Sequence, residues 1–222
     1  MSYWEIGFSL TGIATILSLW FQNRERFMLA VPLLMIGALL LRLVIIDLDP
    51  FLHPWDERFH CLVAKNLIDH PLVPTLRDDP VTPYDYKNWP GNHVWLHKQP
   101  LFMWQMALSM KLLGKTVFAA RVPSALMGAI MVGFIYRIGK NLKNAKTGYW
   151  AALFWAFGFY SLMLALGVQT NDHNDMAFAF YVTGSFWALS EYARRPDWKY
   201  AVLIGILAGG AVLNKWLTGL LV

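Results

Sequence analysis

Residues 27–47 read FMLAVPLLMIGALLLRLVIID. Between Phe27 and Asp47 the one ionisable side chain is Arg42, and the run matches the ~20 residues that carry a helix across a bilayer. Further apolar runs lie near 4–21, 117–136, 149–168, 176–190 and 200–222, so the sequence predicts an all-α membrane protein with about six transmembrane helices. Composition agrees. The chain is 57% apolar and 15% charged, against roughly 45–50% and roughly 25% in soluble domains. That balance excludes intrinsic disorder, and a single cysteine, Cys61, excludes a disulfide framework. The formal charge of +5 could suggest nucleic acid, but in a membrane protein the placement of basic residues matters more than their sum, and no nucleic-acid partner is expected. The chain carries no Walker A, GxGxxG or Cys/His zinc pattern, so chemistry driven by cytoplasmic nucleotide is not indicated.

The first run has no basic residue before it and no small-residue cleavage site after it, which reads as a retained span rather than a signal peptide. The last run ends at Leu221-Val222 without a basic flank, so 1–222 reads as a single polytopic membrane domain forming the N-terminal part of a longer chain. Arg24 and Arg26, then Arg137, Lys140, Lys143 and Lys146, then Arg194, Arg195 and Lys199 occupy alternate short connections. The connection 169–175 has Asp172 and Asp175 and no Lys or Arg. The positive-inside rule makes the basic connections cytoplasmic and sends the N-terminus and the long segment 48–116 outside.

At almost seventy residues, 48–116 exceeds an ordinary connection. It predicts two short helices, each with an apolar side suited to the membrane surface. One covers 56–69, with Phe59, Leu62, Val63 and Leu67 on one face; the other covers 100–113 and opens on Pro100. Residues 71–96, rich in Pro, Asp, Asn and Tyr, read as irregular loop.

Ionisable residues in or beside spans are costly and are functional candidates. Arg42, Arg121, Asp175 and Lys215 come from separate spans and fall toward the outer face, as do all six histidines, which predicts a shared outer cavity. Basic side chains that snorkel to the interface are the structural alternative. Asp56-Glu57 opens the first short helix, where acids also suit the helix dipole. His93 and His97 are four apart, a metal pair if that stretch is helical, though no third ligand is indicated. Cys61, among apolar neighbours, reads as packed rather than reactive.

Trp55-Asp56-Glu57, Ala64-Lys65-Asn66-Leu67 and Val73-Pro74-Thr75 resemble the first outer loop of the GT-C membrane glycosyltransferases. The branch they are most similar to is that of the protein O-mannosyltransferases and lipid A aminoarabinose transferases. Lys98-Gln99-Pro100-Leu101-Phe102-Met103-Trp104 resembles that branch's Lys-Pro-Pro-Leu-x-x-Trp, and Arg121-Val122-Pro123-Ser124-Ala125-Leu126 its Arg-Leu-Pro-Ser-Ala-Leu. Asp175 and Leu213-Asn214-Lys215 resemble later motifs; the departures are His60 for a tyrosine, Gln99 for a proline and His97 for a glutamate. The resemblance covers about residues 30–222.

The resemblance implies transfer of a sugar from a polyprenyl-phosphate donor to a lipid, glycan or protein acceptor at the outer face of a bacterial inner membrane. Asp56 would be the catalytic base. Glu57, Lys98, Arg121 and Asp175 would bind substrate, with Lys98 on the donor phosphate. No soluble cofactor is required; a divalent metal near the phosphate, as in the aminoarabinose branch, would make His97 a candidate ligand. The chemistry is compatible. A lipid-phosphate leaving group is already a stable anion, so it needs cations rather than a second carboxyl acid. One carboxylate then suffices to take the acceptor proton, and a single displacement would invert the anomeric centre. The competing readings are a secondary transporter with its charges along a substrate path, and a non-enzymatic membrane assembly protein.

Overall fold

The computed structural model describes residues 2–88, 91–168 and 172–221. The first three residues of the 169–175 connection and Val222, where the last apolar run ends, lie outside the described residues. Regular structure among the described residues is helical, apart from one isolated antiparallel bridge between Thr75 and Val94.

Helices α1 (Tyr3–Asn23) and α2 (Phe27–Leu48) form an antiparallel pair. Ser2 and Glu5 cap the start of α1 reciprocally, satisfying N–H groups that a helix leaves open. There Tyr3 Oη and Trp4 Nε1 donate to Asp47 Oδ2 at 2.6 and 2.9 Å, pinning α1 to the end of α2. Two short helices follow, α3 (Asp56–Asn66) and α4 (Leu101–Leu113). Next comes α5 (Val117–Leu142), whose Thr116 cap accepts from the Ala119 N–H. It packs against α2, α4, α6 (Ala145–Phe157) and α8 (His173–Arg194), and so forms the centre of the bundle. Helix α7 (Phe159–Leu166) continues α6 after a bend, and α9 (Trp198–Lys215) ends in a 3-10 turn, Trp216–Leu221.

The span count differs from the expected six. Among the described residues, four helices are long and apolar enough to cross a membrane: α1, α2, α5, and α9 continued to Leu220; the number is five if the bent pair α6–α7 is one span. Two physical features account for the difference. The run 176–190 lies inside α8, where Asn174, Asp175, Thr183, Ser185, Ser190 and Glu191 leave too polar a helix to qualify. The run 149–168 is not continuous: at Gly158 the backbone turns extended and the axis bends by 47°.

Arg42 belongs to that break. Its side chain is completely buried. Nη1 donates to the Ala156 carbonyl at 3.0 Å, and Nη2 to the Trp155 carbonyl at 3.3 Å and Ser161 Oγ at 3.1 Å. A bend frees backbone carbonyls that lipid cannot satisfy, and Arg42 supplies donors from the neighbouring helix. Gly128 gives it passage, since a Cβ there would stand 2.5 Å from Arg42 Nε. This arginine therefore serves architecture and lies apart from the outer cluster in which the sequence reading placed it.

The two ends of the bundle differ in charge. Arg137 donates to both Glu191 oxygens at 2.6 Å, and Asn141 bonds Ser190 at 3.1 Å, so the basic segments after α5 and α8 share one end. Phe27, beside Arg26, has its ring 6.3 Å from those of Tyr136 and Tyr149, which brings the basic α1–α2 turn to the same end. The short helices α3 and α4 lie at the other.

Candidate active site

Helix α3 begins in a strained turn. Trp55, the residue before Asp56, has φ 68° and ψ −115°, a conformation that costs a non-glycine residue ~1–3 kcal/mol and needs support from its surroundings. Arg121, near the start of α5, gives that support. Nη1 and Nη2 donate to the Asp49 and Phe51 carbonyls at 2.7 and 2.9 Å, while Nε and Nη2 reach Glu57 Oε1 and Oε2 at 2.6 and 3.0 Å. Glu57 also accepts from the His53 N–H at 2.6 Å. Both partners are buried, 3% exposed for Arg121 and 4% for Glu57. Gly167, the left-handed cap of α7 at φ 70°, backs the carboxylate; a Cβ there would come within 2.8 Å of Oε1. One guanidinium thus ties both the turn 49–53 and the first helical residues of α3 to α5.

Asp56 is placed differently. It is half-buried and makes no hydrogen bond or ion pair among the described residues. The 71–96 loop carries the next candidates over it. Asn66 Nδ2 donates to the Thr75 carbonyl at 2.9 Å, and buried Trp95 stacks on Phe59 with centroids 5.6 Å apart. His97 packs edge-on against Trp95, and Lys98 follows just before α4. Burial and the Lys98 charge hold the His97 imidazole below its ordinary range, His60 adds to this and Asp56 opposes it, so the four groups share one electrostatic neighbourhood. Lys98 is half-buried and without a hydrogen-bond or ion-pair partner among the described residues. No side chain caps the N-terminus of α4, so its free N–H groups add to the positive potential there.

Asp175 is committed elsewhere: it accepts from the Asp172 N–H at 3.2 Å and forms an ion pair with Lys215, joining α8 to α9. His93 and His97 do not lie on a helix; His93 faces the Thr82 carbonyl at 3.3 Å instead. Among the described residues no group of three His, Cys, Asp or Glu side chains converges to hold a metal ion, so the donor set does not fit one.

Sequence reasoning missed a polar layer beneath this site. His60, fully buried between the edges of Trp95 and Phe102, bonds through Nδ1 to Asp172, the cap of α8. Burial pushes the Asp172 carboxyl up, but His60, His173 and the Asn174 N–H outweigh it and hold it below the usual carboxylate range. His173 places Nδ1 2.7 Å from Ser124 Oγ and Nε2 3.0 Å from Gln105 Oε1; Gln105 in turn donates to Tyr181 at 2.8 Å. A neutral ring satisfies both contacts by donating to Gln105 and accepting from Ser124. Burial accordingly depresses this imidazole to about 4. The signal was present as ionisable types at 60, 172 and 173, but the pairs span 112 and 68 residues of sequence.

On the flank of α4, Leu108, Leu112, Leu126, Met127, Ile130 and Phe180 line an apolar groove of about 420 Å³ that reaches Gln105. The site is thus an all-α membrane bundle whose one end holds an acid and a cation without partners among the described residues, beside an apolar groove. Residues 97–222 match the family model described as dolichyl-phosphate-mannose-protein mannosyltransferase, and the chain belongs to that family. It is therefore a membrane glycosyltransferase of the GT-C superfamily, a group that uses polyprenyl-phosphate-linked sugars. No match is found among curated proteins or among solved structures.

Proposed function

We propose that Asp56 takes the proton from an acceptor hydroxyl while Lys98 and the N-terminus of α4 hold the donor phosphate. The new bond forms between the acceptor oxygen and the anomeric carbon. The bond from that carbon to the phosphate oxygen breaks, and its electron pair leaves on the polyprenyl phosphate. With one carboxylate and one displacement, the anomeric centre inverts. The observation that carries this reading is the contrast within Asp56-Glu57: Glu57 is consumed by Arg121, whereas Asp56 is open to solvent and unpaired among the described residues.

The other site residues hold these two in place. Arg121 and Glu57 set the turn that presents Asp56, and Asp175 fixes α8 against α9. The groove beside α4 takes the donor's prenyl chain. The acceptor is a lipid, glycan or protein hydroxyl, and the site end of the bundle faces the outside of a bacterial inner membrane, a sidedness that the basic residues of the opposite end support.

Asp56→Asn tests the assignment. Asn keeps the shape, and the Asp56 side chain makes no capping hydrogen bond to lose, so folding and donor binding persist, but transfer falls by about 10²–10⁴-fold. Near-normal transfer at saturating donor would remove Asp56 from the reaction.

A further inference from the structure

The face of α3 turned away from Asp56 lines a second cavity. At 100° per residue, Arg58, Cys61, Leu62 and Lys65 point roughly opposite to Asp56 around the helix. Together with Met110 and Lys115, at the corner between α4 and α5, they enclose a cleft of about 390 Å³. Its floor is apolar, and its residues include three cations and no acid. None of the cations is firmly held. Lys65 has no hydrogen-bond or ion-pair partner among the described residues, Arg58 donates to the Leu52 carbonyl at 3.2 Å, and Lys115 makes an exposed contact with Asp69 at 3.5 Å. Depth is fixed by Val117, which also lines the cleft and begins the spanning helix α5. The cations therefore sit where a span leaves the bilayer, at the level of lipid head groups.

We infer that this cleft binds the phosphate head of an anionic bilayer lipid, whose first chain carbons rest on Leu62 and Met110. A free phosphate would gain from the cations but not from the floor; an uncharged lipid would gain the reverse. The bound lipid backs α3 from the side opposite Asp56. It is distinct from the donor, whose phosphate belongs to Lys98 on the other side of the helix.

The test uses the protein in nanodiscs of phosphatidylcholine with and without phosphatidylglycerol, and counts retained phosphatidylglycerol by native mass spectrometry. Wild-type protein should keep one phosphatidylglycerol per chain. The triple variant Arg58→Gln, Lys65→Gln, Lys115→Gln should bind it at least tenfold more weakly, with unchanged thermal stability in pure phosphatidylcholine. Lys111→Gln, which changes a lysine of α4 outside the cleft, should retain it. Leu62→Trp, which fills the cleft without altering charge, should lose it, and this keeps the idea testable if the triple variant fails to fold. Three results would each overturn the proposal. They are equal retention by the triple and Leu62→Trp variants, displacement by millimolar inorganic phosphate, which would mark a free-anion site, and displacement by saturating polyprenyl phosphate, which would mark the donor's own site.

Discussion

Glu57→Gln separates a clamp from a surface ion pair. The substitution preserves volume and an acceptor for the His53 N–H, but leaves the Arg121 guanidinium buried at 3% exposure without its counter-charge. Breaking a buried pair on one side costs roughly 3–5 kcal/mol, because the surviving charge cannot regain water. At about 2–4 °C per kcal/mol for a chain of this size, the thermal midpoint in detergent should drop by roughly 6–20 °C. Arg121→Met should cost about as much, because it leaves Glu57 as the unpaired buried charge. The double variant removes both charges and should recover much of the loss, since an apolar replacement of a whole buried pair is often close to neutral. The Asp49 and Phe51 carbonyls, released from Arg121, keep recovery incomplete. Transfer activity should not recover with stability, because the Trp55 turn would no longer be held. Single variants that each cost under about 1 kcal/mol, or a double-variant cost equal to the sum of the singles, would refute the clamp.

Lys98→Ala should weaken binding of polyprenyl phosphate by about tenfold or more, the worth of one charge-assisted hydrogen bond, with little change in melting; unchanged affinity in nanodiscs would dismiss the lysine. Arg42→Met should destabilise by roughly 1–3 kcal/mol, because the Ala156 carbonyl loses its donor while Ser161 still serves Trp155; a midpoint within 1 °C of wild type would show that the bend needs no partner. His173 predicts a pH dependence. Its folded value of about 4 lies below the ordinary 6.5, so the unfolded chain binds the proton first and stability is lost as pH falls from 6.5 toward 4. Between pH 7.5 and 4.5 this amounts to about 2.5 kcal/mol, or about 5–10 °C. His173→Gln should lose less than wild type over that range, and identical slopes would contradict the buried neutral ring.

What could be read from the chain followed the range of the forces involved. Apolar runs act locally, so α1, α2, α5 and α9 are visible from residues 4–21, 27–47, 117–136 and 200–222. The short helices were also visible, though α3 turns Leu62 outward and buries His60 and Cys61 beside the expected Val63 and Leu67. The bend at Gly158 was hidden because the flanking residues are uniformly apolar. Its one sign was Arg42, a charge inside a span that needs carbonyl partners 113 and 114 residues away. Within the site, sequence named Glu57 and Arg121 but could not show that they bind each other, and it could not pair His60 with Asp172 at all. Side-chain pairing across helices depends on register and rotation, and neither is encoded in a single segment.

Those pairings also make a physical argument for where reaction can occur. Around the end of the bundle, Glu57, Asp172 and Asp175 each face a basic or imidazole partner, and each pairing joins two helices. A carboxylate engaged in this way is committed to holding two helices together, and diverting it to a reaction would forfeit that tie. Asp56 has no such partner among the described residues. It stands on a turn strained at Trp55 and braced by Arg121, in the same electrostatic neighbourhood as Lys98 and His97. Lys98 is likewise unspent, ahead of an uncapped helix start that favours an anion. The paired carboxylates build the frame, and the acid and cation without partners among the described residues stand at its edge, which is why the proposed reaction is assigned to them.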